Sequence, residues 1–149
     1  MSIHFSSKTD VYSTPQDFFN NLNKEFCFDL DPCATAANAK CKNFYTVDDN
    51  GLEKDWGKST VFVNPPYGRE ITKWLSKAFN SSLLGAAVVC LVPARTDTKW
   101  WHLYVMKGEI RFIKGRLRFG EAKHNAPFPS AVVVFRPGAY KLTNANVAT

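Results

Sequence analysis

Apolar positions along the chain switch between helical and strand spacing, and the switches mark out elements. Phe18, Phe19, Leu22 and Phe26 form one helical stripe. Thr14-Pro15-Gln16-Asp17 just before it reads as a helix start. The Thr hydroxyl can cap, proline is tolerated at the first helical position, and Asp17 suits the positive end of the helix dipole. A first helix is therefore predicted over 15–25. Cys27-Phe28-Asp29-Leu30 is a short extended run that stops at Asp31-Pro32, since proline biases the preceding residue towards β geometry. A short helix over 34–40 and a short strand at Phe44-Tyr45-Thr46-Val47 follow, before the turn-rich Asp48-Asp49-Asn50-Gly51.

The middle of the chain is marked more strongly. Thr60-Val61-Phe62-Val63 is β-branched and aromatic, and Asn64-Pro65-Pro66-Tyr67-Gly68 halts it, so a buried strand ends in a rigid loop. Ile71, Trp74, Leu75, Ala78 and Phe79 match the amphipathic template and predict a helix over 69–83. The unbroken apolar run 87–92, closed by Pro93, fits a central strand covered on both faces. Strand, helix and strand form a βαβ unit. Beyond it, Asp97 is a candidate cap for a helix through Trp100, Trp101 and Tyr104. The runs 109–113 and 116–119, around a Lys114-Gly115 turn, read as a hairpin, and 130–135 is a last strand. The fold class is α/β: one domain over 1–149, with a polar N-terminal arm over 1–12 and a frayed end from about 142. Its sheet is expected to be mixed and mostly parallel, with antiparallel C-terminal strands.

Composition narrows the class of partner. With 45% hydrophobic and 21% charged residues the chain can bury a core, which excludes a disordered tail or a low-complexity linker. Its longest apolar run is too short to span a bilayer, and the polar N-terminus carries no export signal, so a cytoplasmic protein with no membrane partner is expected. Cys27, Cys33, Cys41 and Cys90 make no C-x-x-C pair and have no paired histidines, which argues for reduced thiols and no metal site. The net charge of +6 and the cations at Lys107, Arg111, Lys114, Arg116, Arg118 and Lys123 suit a polyanion, although a solvated basic surface explains them equally.

Candidate chemistry lies beyond the carboxyl ends of the strands, where open α/β sheets bind ligands. An exocyclic ring amine has its lone pair delocalised, so a pair of acceptors must take its two hydrogens before the nitrogen can attack an electrophilic methyl. The Asn64 side-chain carbonyl and the Pro65 backbone carbonyl can form that pair, and Pro65 and Pro66 fix the backbone that presents them. Tyr67 offers a flat face for a base extruded from the duplex. Arg95, Thr96 and Thr98, just past a central strand, can contact phosphate or orient the cofactor side. Lys114 and Arg116 are candidates for DNA backbone contact, or else charges that protect an edge hairpin from pairing. Asp29 and Asp31 read equally as caps of a helix at Ala34.

Asn64-Pro65-Pro66-Tyr67 resembles the (N/D/S)-P-P-(Y/F/W) motif of S-adenosylmethionine-dependent amino-methyltransferases. A longer series stands around it in order: Ser13-Thr14-Pro15, the stretch from Phe28 through Asp31-Pro32 to Cys33-Ala34, Gly51-Leu52 with Asp55-Trp56, Leu91 to Thr98 with Trp100-Trp101, and Gly115 to Phe119. That series is similar to the motifs of the phage-type DNA N-6-adenine methyltransferases, the Dam-like family, over about 13–135. The resemblance implies a seven-stranded Rossmann-like fold, S-adenosylmethionine as donor and DNA as partner in a bacterial host cell, within a restriction-modification setting. It implies that Asp31, with Asp29 nearby, meets the methionine end of the cofactor and that Thr14-Pro15 packs over the same end. Asp48 or Asp49 would serve the adenosine part. Cys33-Ala34 stand where many methyltransferases carry a Gly-rich turn, their small side chains permitting close backbone approach, and Asn64 adjoins the cofactor. Rival readings are the same fold acting on cytosine N-4 or a protein glutamine, or a non-catalytic DNA-binding remnant. No separate target-recognition domain fits this length, so short loops or a second subunit in a homodimer would supply specificity.

Overall fold

A computed structural model describes residues 12–120 and 124–139. The N-terminal arm before Tyr12 and the C-terminal end expected to fray lie outside the described residues. Helix α1 spans Gln16–Phe26, strand β1 Thr60–Val63, helix α2 Ile71–Leu83 and strand β2 Ala87–Pro93. A short helix α3, Lys99–Leu103, precedes strands β3, Glu109–Phe112, and β4, Ser130–Phe135. The four strands make one sheet in the order β1-β2-β4-β3. Only β1 and β2 pair in parallel, while β4 runs antiparallel to both β2 and β3. The expected mixed sheet with antiparallel C-terminal strands is found, while among the named strands one pairing is parallel and two are antiparallel.

Register shows how the layers form. Phe62, Val89 and Val134 stand in one cross-strand row, and Val61, Val88 and Phe135 in the next. Adjacent rows point to opposite faces of a sheet. On the first face Phe19 of α1 meets Phe62 edge to face at 5.1 Å, and on the second Phe79 of α2 meets Phe135 at 5.9 Å. The helices therefore cover the two faces, and the inner strands β2 and β4 are buried almost throughout. That double cover is why both strands read as unbroken apolar runs.

Several weaker expectations change. The first extended run contributes only isolated parallel bridges, Leu30 to Val61 and Asp31 to Phe44. Segment 34–40 forms turns, not a helix, because Asp31 and Thr35 hold its backbone N–H groups in a loop. Thr98, not Asp97, caps α3: its backbone is extended and its hydroxyl accepts the Trp101 N–H at 3.3 Å, a reach Asp97 lacks by one residue. The hairpin partner of β3 is absent. After Ile113 the chain leaves the sheet, Leu117 accepts the Ala126 N–H, and Phe119 is buried against Tyr12, Tyr67 and Phe128. Burying that ring takes the place of strand pairing.

Candidate active site

β1 and β2 run in parallel, so Asn64 and Arg95 emerge at the same end of the sheet, where β4 begins at Ser130. There the chain crosses back over the Asn64-Pro65-Pro66-Tyr67 loop at Tyr12-Ser13-Thr14. The Asn64 amide nitrogen donates to the Tyr12 carbonyl and to the Thr14 hydroxyl, the latter at 2.9 Å. Its oxygen, Oδ1, is buried and has no hydrogen-bond partner. A buried acceptor left unpaired costs about 1–3 kcal/mol and calls for a reason. Thr14 is buried too, and it does not cap α1, whose N-cap position is Pro15 with no side-chain cap.

Tyr67 is also buried. Desolvation pushes its hydroxyl well above the usual tyrosine range, so it stays protonated, and its O–H faces the Leu91 carbonyl at a long 3.5 Å. Its ring stacks on Tyr12 with centroids 5.3 Å apart, and Phe119 and Phe128 stand edge-on at 6.2 and 5.6 Å. The flat face expected for a base is thus covered by Tyr12. The Arg95 guanidinium, on an exposed residue, lies 5.8 Å from the centre of the Phe128 ring, at the rim of this aromatic cluster.

A cavity of about 250 Å³ opens beside the loop. Pro32, Cys33, Ala34, Val47, Leu52, Pro66 and Trp74 supply its apolar wall, and Thr35, Asn38, Thr46, Asn50 and Glu70 its polar positions. Gly51 allows the wall to close. A Cβ there would stand 2.1 Å from the Pro32 carbonyl oxygen, and the Gly51 carbonyl accepts the Trp56 indole N–H at 3.0 Å. Burial pushes the Cys33 thiol up to about 12, so it remains protonated.

The expected cofactor residues are scattered: some line this cavity, some support it and some lie elsewhere. Cys33 and Ala34 line it. Asp31 does not: its buried carboxylate accepts the Lys40 N–H at 3.0 Å and the Cys33 N–H at 3.4 Å, holding the loop that forms the wall. Desolvation raises its pKa, while those N–H groups counteract the rise. Asp29 sits at the opposite end of β1, accepting the Thr60 N–H at 3.0 Å and lining a separate cavity. Asp49 is spent on Thr46, whose N–H and hydroxyl its carboxylate accepts at 2.9 and 3.2 Å. Pro15 and Arg116 line an open groove of about 340 Å³ with Asp17, Phe18, Asn21 and Arg118. Lys114 is exposed outside that groove. Arg111 is not available to phosphate as the basic hairpin implied, because Glu25 takes it bidentately at 2.7 Å and Glu109 binds it at 2.8 Å. Sequence reasoning missed Tyr12, which lay in the polar arm, Trp74, whose helical spacing assigned it to the apolar stripe, and Glu70, which carried no signal.

Comparison with known proteins decides the family. The family model described as DNA N-6-adenine-methyltransferase (Dam) matches residues 2–140. The chain belongs to that family. A DNA N-6-adenine-methyltransferase of Haemophilus phage HP1 is 32% identical over 144 residues, covering 89% of this chain and 82% of the relative. One from Escherichia phage T1 is 33% identical over 94 residues, 62% of this chain and 39% of the relative. The chain is thus an adenine-specific DNA methyltransferase of phage type. The methyltransferase has its only unpaired, buried side-chain amide oxygen among the described residues on the loop that the sequence singled out.

Proposed function

We propose that Asn64 Oδ1 and the Pro65 carbonyl accept the two hydrogens of the adenine N6 amino group in DNA. The cavity beside Pro66 would hold S-adenosylmethionine. The cavity fits a nucleoside-bearing ligand: its wall is mostly apolar, for a flat ring, with hydroxyl and amide groups of Thr35, Asn38, Thr46 and Asn50 spaced among the apolar side chains. When bound, S-adenosylmethionine supplies an electrophilic methyl group on a sulfonium centre. The protein's own part is to bind and orient. Accepting both N–H groups turns the amine lone pair out of conjugation, and the Pro65-Pro66 backbone holds the acceptors in place before the base arrives. Protonated Tyr67 serves as an aromatic surface and not as a base, and an adenine that reaches its face takes the place of the Tyr12 ring. Arg95, and Arg116 with Arg118 across the groove, lie where phosphates of the flanking strand can be met, in the cytoplasm of a bacterial host.

The observation that carries this reading is the orphaned Asn64 Oδ1, an acceptor whose partner is a substrate hydrogen. Labelled methyl transfer from S-adenosylmethionine to unmethylated duplex DNA, with nucleosides identified by mass, tests it. The wild type is expected to yield N6-methyladenine. Asn64→Ala should lower transfer by at least about a hundredfold with cofactor affinity retained, and an Asn64→Ala variant that transfers normally would sink the assignment.

A further inference from the structure

An asparagine amide fits its surroundings in two orientations related by a half-turn, and only one presents oxygen to an incoming amine. At Asn64 the Tyr12 carbonyl decides which one, and the Thr14 hydroxyl, able to accept or to donate, holds the amide in that setting. The Tyr12 main-chain carbonyl, which can only accept, faces Nδ2. The Thr14 hydroxyl accepts from the same nitrogen at 2.9 Å. Oδ1 is left buried and unpaired. Turning the amide over would set Oδ1 against the Tyr12 carbonyl oxygen and strand both N–H donors.

We propose that Thr14 is a positioning residue for methyl transfer: its hydroxyl, with the Tyr12 carbonyl, locks the Asn64 amide so that Oδ1 faces the target amino group. This rests on the acceptor role proposed for Asn64. It differs from the two roles the sequence suggested for Thr14, a helix cap and a cofactor contact. The cap is absent from the structure, and Thr14 does not line the cavity beside Pro66. Its burial, at 5% exposure, holds the hydroxyl at a fixed distance from the amide. Tyr12 contributes through its backbone, so Thr14 is the member of the pair that a substitution can remove.

The test compares wild type, Thr14→Val and Thr14→Ser in single-turnover methyl transfer at saturating S-adenosylmethionine and DNA, with cofactor affinity measured by calorimetry and folding by the melting midpoint. Thr14→Val keeps the shape and loses the hydroxyl, and its transfer rate should fall about tenfold while cofactor affinity stays within about twofold. Thr14→Ser keeps the hydroxyl and loses the methyl, and its rate should stay within about twofold of wild type. An unchanged rate in Thr14→Val overturns the inference. So does a Thr14→Ser as slow as Thr14→Val, which would assign the effect to methyl packing, or a loss confined to cofactor affinity, which would make Thr14 a cofactor contact. In each of those cases wild type still forms methyladenine and the Asn64 reading stands. A wild type that forms none removes both.

Discussion

The sheet and the loops between Asp31 and Lys54 are held by different means. β1, β2 and β4 are joined by continuous ladders and buried by helices on both faces, so each residue shares its neighbours with many others. The loops have scattered backbone bonds, such as the Tyr45 N–H to the Asp31 carbonyl, in place of a ladder. Single residues fix much of their shape: the Asp31 carboxylate on the Cys33 and Lys40 N–H groups, Asp49 on Thr46, and Gly51 against Pro32. A region stabilised by many interchangeable contacts degrades in steps, whereas one fixed by single contacts fails at one residue. The second kind forms the proposed cofactor wall.

Gly51→Ala attacks the loop region hardest. With backbone 2.1 Å from the new Cβ, it should cost at least about 4 kcal/mol and abolish cofactor binding, read by chemical denaturation and calorimetry. Gly57→Ala is the control, since open space surrounds that Cβ and only its φ of +56° is strained. It should cost roughly 1–2 kcal/mol. In the sheet half, truncating the fully buried Leu75 of α2 should cost about 2–5 kcal/mol while the folded fraction binds cofactor normally. If Leu75→Ala and Gly51→Ala lost cofactor affinity to the same extent, the contrast between the halves would be wrong.

Tyr67 follows β1 and packs among Tyr12, Phe119 and Phe128. Tyr67→Phe gives up only a long hydrogen bond and should retain at least about a third of wild-type activity, whereas Tyr67→Ala, which removes the ring, should lose more than about tenfold. Equal losses in methyl-transfer assays would shift its role from ring to hydroxyl. The smallest effect belongs to the far edge, where Arg111 joins Glu25 of α1 to Glu109 of β3. Hydrogen bonds from Arg111 hold both carboxyl groups below the ordinary glutamate range. Groups with lowered folded pKa stabilise above their unfolded pKa and lose that contribution as pH falls through the folded value. The wild-type melting midpoint should therefore drop below roughly pH 4, with a shallower drop in Arg111→Ala.

What could be read from the sequence follows the same division. The βαβ unit and β4 were legible because burial on two faces writes a long apolar run or a helical stripe, as in Val88 to Val92 and Ile71 to Phe79. The Asn64 loop was legible because an Asn before two prolines and then an aromatic is an uncommon way to make a turn. The lost hairpin was not: residues 116–119 alternate like a strand, and only the aromatic pocket formed by Tyr12, Tyr67 and Phe128 tells Phe119 to leave the sheet. Nor could the acidic residues be sorted by type. Asp29, Asp31 and Asp49 looked alike as cofactor candidates, yet each carboxylate is taken by backbone N–H groups whose positions only the fold determines.

The Tyr12 ring that covers Tyr67 also bears on the thermodynamics of target capture. Because a ring already lies on that face, the adenine stacking proposed for Tyr67 would exchange one aromatic contact for another and yield little net stacking free energy. Discrimination between a purine and a smaller base survives such an exchange, since it depends on the difference between two guests. On that reading net affinity for DNA would fall to the cations proposed to meet phosphate, Arg95, Arg116 and Arg118, and should decline steeply with ionic strength.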